Sequence, residues 1–536
     1  MKVLTGEQMH ELDQQTFSSL GLPSVVYMEN AAREVAHFIV EHYQPAYASV
    51  VIFCGPGNNG GDGFSIARTL KHLGWHVSVL STREMELLKG DAALQAQAYR
   101  KIGGTITTVT ENLQELSHHI SSAHLIVDCL LGTGFNGAPE GILAQVIELI
   151  NTASCPVLSV DLPSGVDASS ANVPGVAVRA KQTIAIQYPK LGTVLFPGAQ
   201  YTGELFVVDV GICHRAETEY FLMTADFVAQ GLRKYFQPST QRHKGQRGKV
   251  LVVGGSAGLY GAPKMAAAAA LRTGAGLATF TLPQTAAAHI APEQMELMCA
   301  ALADDGQGGY GQVELARLEA LLKQHNCLVF GPGLGRSSQG QELSRLAYTL
   351  AAKNNIPLLI DADGLNTLAE NDSLKSIVPA NSILTPHAGE MAGLLGKEVT
   401  AIQSQRLEAA KLLAQSLNSI VVLKGARTVI AAPYGELAIN PAATDTLATA
   451  GSGDVLCGII AALVARGCPP FAAANYGVYL HGEIGQKLHD EFKSSVGVTA
   501  TDIIEALPKT IAALCNQNEV GSGFCRQLLK FPLSSA

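Results

Sequence analysis

The sequence predicts two successive α/β domains, each built on a mainly parallel sheet with helices on both faces. Three observations support this class. The chain has 536 residues, the length of two or three ordinary domains. Short β-branched runs alternate with amphipathic stretches, first from Ser49 and again from Lys249, which is typical of parallel sheets. Charged residues make up only 15% and glycines number 54, which favours large, well-buried domains with tight turns.

The first half is expected to begin with helices and to continue as alternating strands and helices. Thr5 is suited to cap a helix over TGEQMHELD, and helical spacing resumes in MENAAREVAHFIVEHY. The strands predicted next are SVVIFCG, HVSVL, LIVDCLLG and PVLSVDL, with helices at SIARTLKHLG, up to Gly103 and over residues 141–150. TIAIQYPK and GELFVVDVG are expected to complete the sheet as strands without helices between them.

The second half repeats the alternation. Its predicted strands are KVLVVGGS, NCLVFGPG, PLLIDADG, NSILTP and SIVVLKG, and its helices include PKMAAAAALRTG, ELARLEALLKQH and residues 400–418. SIVVLKGARTVIAAPYGELAIN is expected to form two strands with the bend at residues 424–428. The stretch 211–248 is polar and lacks periodicity, so we place the boundary near residues 218–227, with domains at 1–220 and 224–520.

A basic run at the start of the second half has two interpretations. Contact with a nucleotide phosphate is one, and a solvated linker is the other. The run consists of Arg242, His243, Lys244, Arg247 and Lys249.

Charge and cysteine pattern exclude several classes of protein. The formal charge of −8 disfavours a protein whose main role is to bind nucleic-acid backbones. Ten cysteines contain no Cys-x-x-Cys pair, which argues against a zinc ribbon or a disulfide framework and fits a reducing cytoplasm. The N-terminus turns polar after four residues, and the uncharged run 273–292 is interrupted by Gly, Pro, Thr and Gln. We expect a soluble, cytoplasmic protein without membrane or nucleic-acid partners.

A glycine-rich loop at residues 55–63 follows a predicted strand and opens a predicted helix. In that setting, bare N–H groups and the positive helix end can hold a phosphate. Gly55, Gly57 and Gly60 match the dinucleotide pattern G-x-G-x-x-G. However, the next strand ends in Ser81, Thr82 and Arg83 rather than in an acidic residue for the ribose, so an ordinary NAD oxidoreductase is disfavoured. The loop's Asn and Asp side chains suit a ligand or a monovalent cation, whereas a simple glycine-rich turn is the alternative.

Two later strands carry polar residues to the same edge of the first sheet. LIVDCLLGTGFNG contributes Asp128 and the loop 132–138, and VLSVDLPSGVD contributes Asp161, Ser164 and Asp167. Asp128 lies inside an apolar strand, where an unpaired carboxylate is costly, so it needs a cation or hydrogen-bond donors. A structural hydrogen bond to a turn is the alternative for Asp128, and a strand-ending turn is the alternative for Asp161. Parallel strands place all these ends in one crevice.

A second candidate site lies at AGSGD, directly before the helical pattern VLCGIIAALVARG. Amides of Gly451, Ser452 and Gly453 at a helix N-terminus can stabilise a moving phosphoryl group, while Asp454 deprotonates the attacking hydroxyl. The alternative is an Asp that only favours the helix dipole. Lys424 and Thr428, at the predicted bend, could hold nucleotide phosphates or ribose, or could belong to an ordinary hairpin turn.

The order of these motifs resembles that of a known family over nearly the whole chain. HKGQRGKVLVVGGS, YGAPKMAAAAALRTGAG, FGPGLG, DADGLN, LTPHAGEM, LKGART and AGSGD together are similar to the NAD(P)H-hydrate dehydratase family. NAAREVA, GPGNNGGDGF, VDCLLGTGFNG and VDLPSGVD are similar to NAD(P)H-hydrate epimerase domains. The fusion resembles the bifunctional NAD(P)H-hydrate repair family. Ala388 departs from the Pro expected in its motif, which loosens a turn without removing a functional side chain.

The resemblance implies a Rossmann-like three-layer domain followed by a ribokinase-like three-layer α/β/α domain. It implies that the first domain interconverts the R and S forms of hydrated NADH and NADPH. The second would phosphorylate the S form and expel phosphate, regenerating NAD(P)H. Fusions of this kind imply ADP as the phosphoryl donor, giving AMP and phosphate, with Mg²⁺ on the phosphates and K⁺ in the first domain. We also expect a homo-oligomer.

The same resemblance assigns site residues. The epimerase ligand is expected to be bordered by Asn58, Asn59, Gly60, Gly61, Asp62, Gly132, Thr133, Gly134, Phe135, Asn136, Gly137, Ala138 and Asp161, with Asp161 as candidate acid or base. Potassium is expected on Asn59, Asp128 and Ser164. The dehydratase substrate is expected at Ala262, Gly333, His387 and Asp454, with Asp454 as catalytic base, and the nucleotide at Lys424, Gly425, Ala426, Arg427, Thr428 and Gly453. Gly451, Ser452 and Gly453 are expected to form the anion hole.

Two other interpretations remain. One is a ribokinase-like kinase for a small molecule such as a hydroxymethylpyrimidine, fused to a dinucleotide-binding regulator, which would accumulate a phosphorylated product. The other makes the first domain a non-catalytic ligand-binding or partner-binding module.

Overall fold

A computed structural model describes residues 1–43, 49–110, 113–237, 243–289, 295–516 and 525–529. They fall into two compact units. The first consists of Met1–Phe221 with Gly521–Ala536, and the second of Leu222–Val520. Within the described ranges, every helix is too short or too polar to cross a membrane.

The first unit contains a parallel sheet whose strand order in space is β7-β6-β5-β4-β1-β2-β3. The strands are β1 (Ser49–Cys54), β2 (His76–Ser81), β3 (Ile106–Thr108), β4 (Leu125–Cys129), β5 (Val157–Val160), β6 (Gln182–Ile186) and β7 (Glu204–Val208). Strand order changes direction between β1 and β4. In open α/β sheets, ligands bind outside the carboxyl ends of the strands at such a point.

Helices cover both faces of this sheet. They are α1 (Gly6–Leu20), α2 (Ser24–His42), α3 (Asn58–His72), α4 (Gly90–Lys101), α5 (Leu113–Ser121), α6 (Gly141–Ile150), α7 (Leu191–Val194) and α8 (Ala199–Thr202), with a 3₁₀ turn at Met85–Leu87. Neighbouring side chains of β1 belong to two separate hydrophobic clusters. Ile52 packs with residues of α2 and α3, and Phe53 packs with residues of α6. The expected three-layer architecture is therefore confirmed.

Two glycines allow α3 to begin close to the sheet. A Cβ on Gly60 would lie 1.8 Å from the carbonyl oxygen of Gly55, and a Cβ on Gly63 would lie 2.7 Å from Sγ of Cys54. Neither distance can be accommodated, so only glycine permits this approach. As a result, the N-terminus of α3 faces the crevice beyond β1.

The expected helix at the N-terminus is confirmed, with one difference later in the unit. Thr5 caps α1 through a capping box with Gln8, which is typically worth about 1 kcal/mol. The strands predicted at TIAIQYPK and GELFVVDVG are β6 and β7, but α7 and α8 lie between them. Each of these helices has four residues, which is too few to produce a helical period in the sequence.

The second unit contains a mixed sheet with the order β11-β10-β9-β12-β13-β14-β15-β16-β17-β8. Its strands are β8 (Tyr220–Leu222), β9 (Lys249–Val253), β10 (Leu277–Pro283), β11 (Met298–Leu302), β12 (Cys327–Phe330), β13 (Leu358–Ile360), β14 (Ile383–Leu384), β15 (Ile420–Leu423), β16 (Val429–Ala431) and β17 (Leu437–Ile439). From β11 to β15 the neighbours are parallel, and β15, β16 and β17 are antiparallel. The α/β class predicted for this half is confirmed.

The helices of the second unit complete its layers, with α10 and α19 packing on β9, and α18 on β15. They are α9 (Ala225–Phe236), α10 (Gly261–Arg272), α11 (Gln284–His289), α12 (Leu315–Leu322), α13 (Ser338–Lys353), α14 (Asp363–Glu370), α15 (Asp372–Lys375), α16 (Ala388–Leu395), α17 (Val399–Ser404), α18 (Arg406–Ser416), α19 (Ser452–Ala465), α20 (Pro470–Phe492) and α21 (Ala500–Asn516), with 3₁₀ turns at Lys244–Arg247 and Asp445–Leu447.

Two details of the second unit differ from expectation. The segment predicted as two strands forms three, because the turn at Gly435, with φ of 111°, separates β16 from β17. The uncharged run 273–292 contains β10 and α11, with residues 290–292 outside the described ranges. In the basic run, Arg242 also lies outside the described residues, whereas His243, Lys244 and Arg247 are exposed.

A last strand, β18 (Cys525–Leu529), pairs antiparallel with β7. It extends the first sheet to eight strands. The chain therefore returns to the first unit after the second one.

Candidate functional site

The first candidate site is a cavity of about 530 Å³ beyond the carboxyl ends of β1, β4 and β5. It lies where the strand order changes direction, as expected for a ligand crevice. Of the predicted epimerase residues, those that line it are Asn58, Asn59, Asp62, Gly132, Thr133, Gly134, Phe135 and Asp161. The lining does not include Gly60, Gly61, Asn136, Gly137 and Ala138 in the part of the chain that the structure describes.

The start of α3 provides backbone donors to this cavity. Its N-cap is Gly57, and among the described residues no side chain caps the helix. The first N–H groups of a helix lack partners within the helix and carry partial positive charge. Asn58 and Asn59 line the cavity at this end, so an anionic group of a ligand could bind here.

The three residues predicted to hold potassium lie together around the Leu131 carbonyl. Asn59 donates from Nδ2 to this oxygen at 2.6 Å, and Ser164 Oγ lies 3.5 Å from it. Ser164 also donates to the Asp128 carboxylate, with 2.6 Å between Oγ and Oδ1. The Oδ1 atom of Asn59 is buried and has no hydrogen-bond partner within the described ranges.

Asp128 is fully buried and has several donors. Its carboxylate accepts hydrogen bonds from Ser159 Oγ at 2.8 Å, from the Ser164 N–H at 2.9 Å and from the Leu130 N–H at 3.2 Å. Burial raises the pKa of Asp128, and the hydrogen bonds from Ser164, Ser159 and Leu130 act against that rise. The structural role considered for Asp128 is therefore present, alongside its position beside Asn59 and Ser164.

Asp161 pairs with a lysine that sequence reasoning did not select. Lys190, at 1% exposure, donates from Nζ to Oδ1 of Asp161 and, at 3.0 Å, to the Ile186 carbonyl. The Ile186 N–H donates to the same Asp161 oxygen at 3.1 Å. Asp161 adopts φ of 70°, a left-handed conformation that is uncommon outside glycine. The only signal for Lys190 in the sequence is a charge inside the apolar stretch QYPKLGTVLF.

Two more carboxyl groups of this cavity have raised pKa values. Asp62 is 7% exposed, and burial, with a further contribution from Asp161, raises its pKa well above the usual value. Asp13, on α1, was not predicted, and burial raises its pKa to about 6. The cavity thus combines the Asp161 and Lys190 ion pair with acidic groups in a poorly solvated environment.

The second candidate site is a cavity of about 590 Å³ in the second unit. The predicted residues that line it are His387, Lys424, Gly425, Ala426, Thr428, Ser452, Gly453 and Asp454. Four predicted residues do not line it within the described residues, namely Ala262, Gly333, Arg427 and Gly451.

An ion pair between Lys424 and Asp361 adjoins the start of α19. Lys424 Nζ is 2.8 Å from Oδ1 of Asp361, which also accepts a hydrogen bond from Thr385 Oγ1 at 2.8 Å. Burial opposes ionisation of both groups, but their attraction raises the pKa of Lys424 and lowers the pKa of Asp361. A Cβ placed on Gly453 would lie 3.4 Å from Lys424 Nζ, so the ammonium group adjoins the first turn of α19.

The anion hole was predicted at the start of α19. Its N-cap is Gly451, with φ of 83°, and no side chain caps the helix among the residues that the structure places. Ser452 Oγ lies 3.0 Å from Nε2 of His481, a buried residue that the sequence did not indicate. Burial lowers the pKa of His481 to about 4, so its ring is neutral near pH 7.

Asp454 follows in the same helical turn and lines the cavity. Burial raises its pKa to about 7, with a further rise from the negative charge of Asp361 and an opposing effect of Lys424. A carboxyl group with a pKa near the working pH is suited to general base catalysis.

Arg406 fixes the start of the loop at residues 424–428 by hydrogen bonds. Arg406 donates to the carbonyls of Leu423 at 2.9 Å and of Lys424 at 3.3 Å. Gly425 has φ of 145°, and a Cβ added to it would lie only 3.0 Å from that guanidinium group. Arg427, predicted to bind nucleotide, is only 2% exposed, which places it in the interior. Nucleotide binding by Arg427 therefore stays a prediction. The sequence could not show that this turn residue points into the interior.

Ala262 and Gly333 lie against each other, with 3.3 Å between the Ala262 Cβ and a Cβ added to Gly333. They follow β9 and β12, the neighbouring strands at which the order of the second sheet changes direction. This is the place where a ligand is expected in such a sheet, although it lies outside the lining of the second cavity.

His387 combines cavity lining with a structural role. Its Nδ1 accepts hydrogen bonds from the N–H groups of Gly389 at 3.0 Å and Glu390 at 3.1 Å, and Glu390 completes a capping box at the start of α16. Ala388 is the first residue of that helix, at the position where the sequence comparison led us to expect Pro.

We expect Ala388→Pro to stabilise the second unit by about 0.4–1 kcal/mol, because Pro restricts the unfolded chain. The first helical position tolerates Pro, and His387 has φ of −80° and ψ of 173°, as a residue before Pro requires. Thermal unfolding measures the change. As a control, Ala392→Pro in the interior of α16 should cost about 3 kcal/mol or more. A lower melting temperature for Ala388→Pro would contradict this.

Comparisons with known proteins agree with the two-unit organisation. Residues 24–192 match a family described as YjeF-related protein N-terminus, and residues 250–509 match a family described as NAD(P)H-hydrate dehydratase. The chain is similar to the bifunctional NAD(P)H-hydrate repair enzyme Nnr of Moorella thermoacetica, with 39% identity over 96% of this chain and 97% of the relative. It is 36% identical to the Nnr of Thermofilum pendens over 96% of this chain and 97% of that protein.

A similar solved structure is the ADP/ATP-dependent NAD(P)H-hydrate dehydratase from Bacillus subtilis, co-crystallised with ATP and Mg²⁺. It is 27% identical, with a TM-score of 0.46, and the match covers 54% of this chain and 97% of that one.

Proposed function

Because this chain belongs to the family of bifunctional NAD(P)H-hydrate repair enzymes, we propose that its first unit epimerises the hydrate and its second unit dehydrates the S form. The enzyme repairs hydrated NADH and NADPH by epimerisation and dehydration. One observation supports a separate activity for each unit, namely that each unit has its own cavity. Each cavity lies at a helix start that no side chain caps among the described residues, and each is lined by acidic groups.

In the second unit, Asp454 removes the proton from the hydroxyl on C6 of the S hydrate as that oxygen attacks the terminal phosphoryl group of the nucleotide. The N–H groups of Gly451, Ser452 and Gly453 and the Lys424 ammonium group stabilise the charge on the transferred phosphoryl group. Phosphate then leaves C6 with its bonding electrons, and C5 loses a proton to water to form the ring double bond. Phosphorylation turns a poor leaving group into a good one.

ADP is the donor that we propose, so that the products are NAD(P)H, AMP and phosphate. The loop of Lys424, Gly425, Ala426 and Thr428 lines the cavity and is placed to hold the nucleotide. Mg²⁺ neutralises phosphate charge when bound. It would take most of its ligands from phosphates and water at this site.

In the first unit, the start of α3 is placed to hold the pyrophosphate of the hydrate, and the cavity beyond it is placed to receive the damaged ring. Asp161 is the acid or base at this ring. Its Oδ1 atom is occupied by Lys190 and by the Ile186 N–H, which fixes the carboxylate and leaves Oδ2 to act on the ligand.

Potassium is proposed beside this ligand, on Asn59, Asp128 and Ser164. The buried Oδ1 of Asn59, which lacks a hydrogen-bond partner within the described part of the chain, is the oxygen that a cation would satisfy. Asp128 supplies the negative charge, and Ser164, whose hydroxyl donates to Asp128, lies beside the Leu131 carbonyl that accepts from Asn59. A potassium ion held by these residues would supply positive charge for the phosphates of the ligand.

Replacing potassium by sodium should therefore slow epimerisation by about tenfold, since a hydrogen bond or ion contact to a charged group is worth about 1.5–3 kcal/mol. The assay follows R and S exchange without nucleotide, before and after potassium is restored. Asn59→Ala should be slow in both salts. Dehydration of pure S hydrate by the wild type in the same buffers is the control. Equal exchange rates in both salts would argue against the site.

The function as a whole is tested by incubating an R and S hydrate mixture with the full-length protein, with and without ADP or ATP, and following recovery of reduced-nicotinamide absorbance. Complete conversion of both forms requires both activities. Consumption of only the S form above the spontaneous rate would make the first unit a non-catalytic binding module. A phosphorylated product that accumulates without NAD(P)H would indicate a small-molecule kinase instead.

The partners that we propose are small molecules, namely the hydrates and ADP, in a cytoplasmic homo-oligomer. The nine cysteines whose side chains the structure describes are free thiols, which suits the reducing compartment expected from the sequence.

A further inference from the structure

Asp62 is a buried acidic residue to which no catalytic role has been given above. It lies one turn into α3, lines the first cavity and is 7% exposed. Within the residues that the structure describes, its carboxyl group makes no hydrogen bond and no ion pair. An ionised carboxylate buried in this way is costly, whereas a neutral carboxylic acid keeps a proton that it can donate.

Titratable and charged groups face Asp62 from several of the elements around it. They are the carboxyl groups of Asp161, Asp13 and Asp91, the ammonium group of Lys190, and the thiols of Cys54 and Cys129, with His10 beside Asp13. The carboxyl groups disfavour a negative charge on Asp62, while Lys190 favours it, but the lysine is bonded to Asp161. Burial is the largest cause of the raised pKa of Asp62.

Asp161 has the opposite environment. Lys190 and the Ile186 N–H both donate to Oδ1, which stabilises the carboxylate. One cavity therefore holds a buried carboxyl group without a donor among the described residues, and a second carboxyl group that accepts from an ammonium group and an N–H group. Two carboxyl groups with opposed environments mark an acid and base pair in several enzymes.

We propose that Asp62 is the general acid of epimerisation and Asp161 the base that accompanies it, an inference that rests on the proposed epimerase function. Asp62 donates its proton to the C6 hydroxyl, and the C6–O bond breaks with its electron pair, releasing water. The N1 lone pair forms a double bond to C6. A second water then adds to C6 from the opposite face, the electrons of that double bond return to N1, and Asp161 takes the proton that this water loses.

The opposite epimer reacts by the same steps with the two roles exchanged, as microscopic reversibility requires. After inversion in one direction the proton resides on Asp161, and exchange through solvent returns it to Asp62. Each inversion replaces the hydroxyl oxygen by one from water.

The first test is Asp62→Asn in the full-length chain without nucleotide. R and S exchange should fall by about 10²–10⁴-fold, the range of general acid catalysis, with unchanged affinity for the hydrate. The wild-type rate should fall as pH rises through the pKa of Asp62, and the variant should lack this fall. Glu86→Gln, a carboxyl replacement at an exposed position outside the cavity lining, should leave exchange unchanged.

The second test uses the wild type alone in ¹⁸O-labelled water. One labelled oxygen per inversion is expected, whereas inversion that retains the original oxygen would overturn the proposal. Normal exchange by Asp62→Asn would overturn it as well. Hydrate affinity close to that of the wild type reports that the first unit of Asp62→Asn is folded. If the wild type itself fails to exceed spontaneous exchange, the epimerase assignment falls, and the role of Asp62 falls with it.

Discussion

Asp454→Asn should lower the rate of S-hydrate dehydration by about 10²–10⁴-fold, the contribution typical of a general base. The amide keeps the shape of the side chain but cannot accept the hydroxyl proton. The loop at 424–428 and the N–H groups of α19 are unchanged, so nucleotide affinity should stay near that of the wild type.

Single-turnover dehydration and nucleotide titration separate these two effects. Epimerisation by the same variant is the internal control, because its cavity is lined by residues of the first unit. Near wild-type turnover would rule out Asp454 as the base. Equal loss of turnover and of nucleotide binding would instead indicate a disrupted helix start.

The pH dependence of dehydration follows from the same residue. Asp454 must be deprotonated to act as a base, and its pKa is raised to about 7 by burial and by Asp361. The rate at saturating substrate should therefore rise with pH through about 7 and level off above it. In Asp454→Asn, this rise should disappear from the residual activity.

Lys190→Met should strongly destabilise the first unit, because it leaves the Asp161 carboxylate buried without its partner. Breaking a buried ion pair typically costs about 3–5 kcal/mol. For a unit of this size, each kcal/mol lowers the melting temperature by about 2–4 °C, so a fall of roughly 10 °C is expected. Calorimetry, in which the two units can be followed separately, measures it.

Two controls interpret that result. Lys181→Met removes an exposed lysine and should change stability by less than about 0.5 kcal/mol. The double variant Lys190→Met with Asp161→Asn should recover much of the lost stability, since both charges are then absent. It should remain inactive as an epimerase. A single Lys190→Met variant as stable as the wild type would show that the ion pair contributes little.

Sequence patterns located the strand-end and helix-start residues of both cavities because sheet geometry connects distant segments. Polar residues at the ends of LIVDC and VLSV were expected to meet, since parallel strands share one carboxyl edge, and Asp128 and Ser164 are in contact. The helix starting at AGSGD was predicted from glycines before an apolar helical pattern, and Asp454 lies in its first turn.

The remaining site residues have no comparable signal. Asp13 reaches the first cavity from α1, and Lys190 reaches it from the loop after β6, so only tertiary packing brings them to Asp161. His481 reaches Ser452 from the middle of α20, where a histidine on an apolar helix predicts only burial. Arg427 adopts φ of 55° and lies in the interior, which a loop sequence does not reveal.

The two helix starts that no side chain caps within the described residues link catalysis to thermal stability. A ligand whose phosphates occupy these N–H groups binds only the native state, so it stabilises by RT ln(1 + [L]/Kd), or about 2.7 kcal/mol at a hundred times Kd. Nucleotide should then shift the melting transition of the second unit, and hydrate that of the first as well. A calorimetric scan would thus report ligand occupancy of each of the two cavities without any turnover.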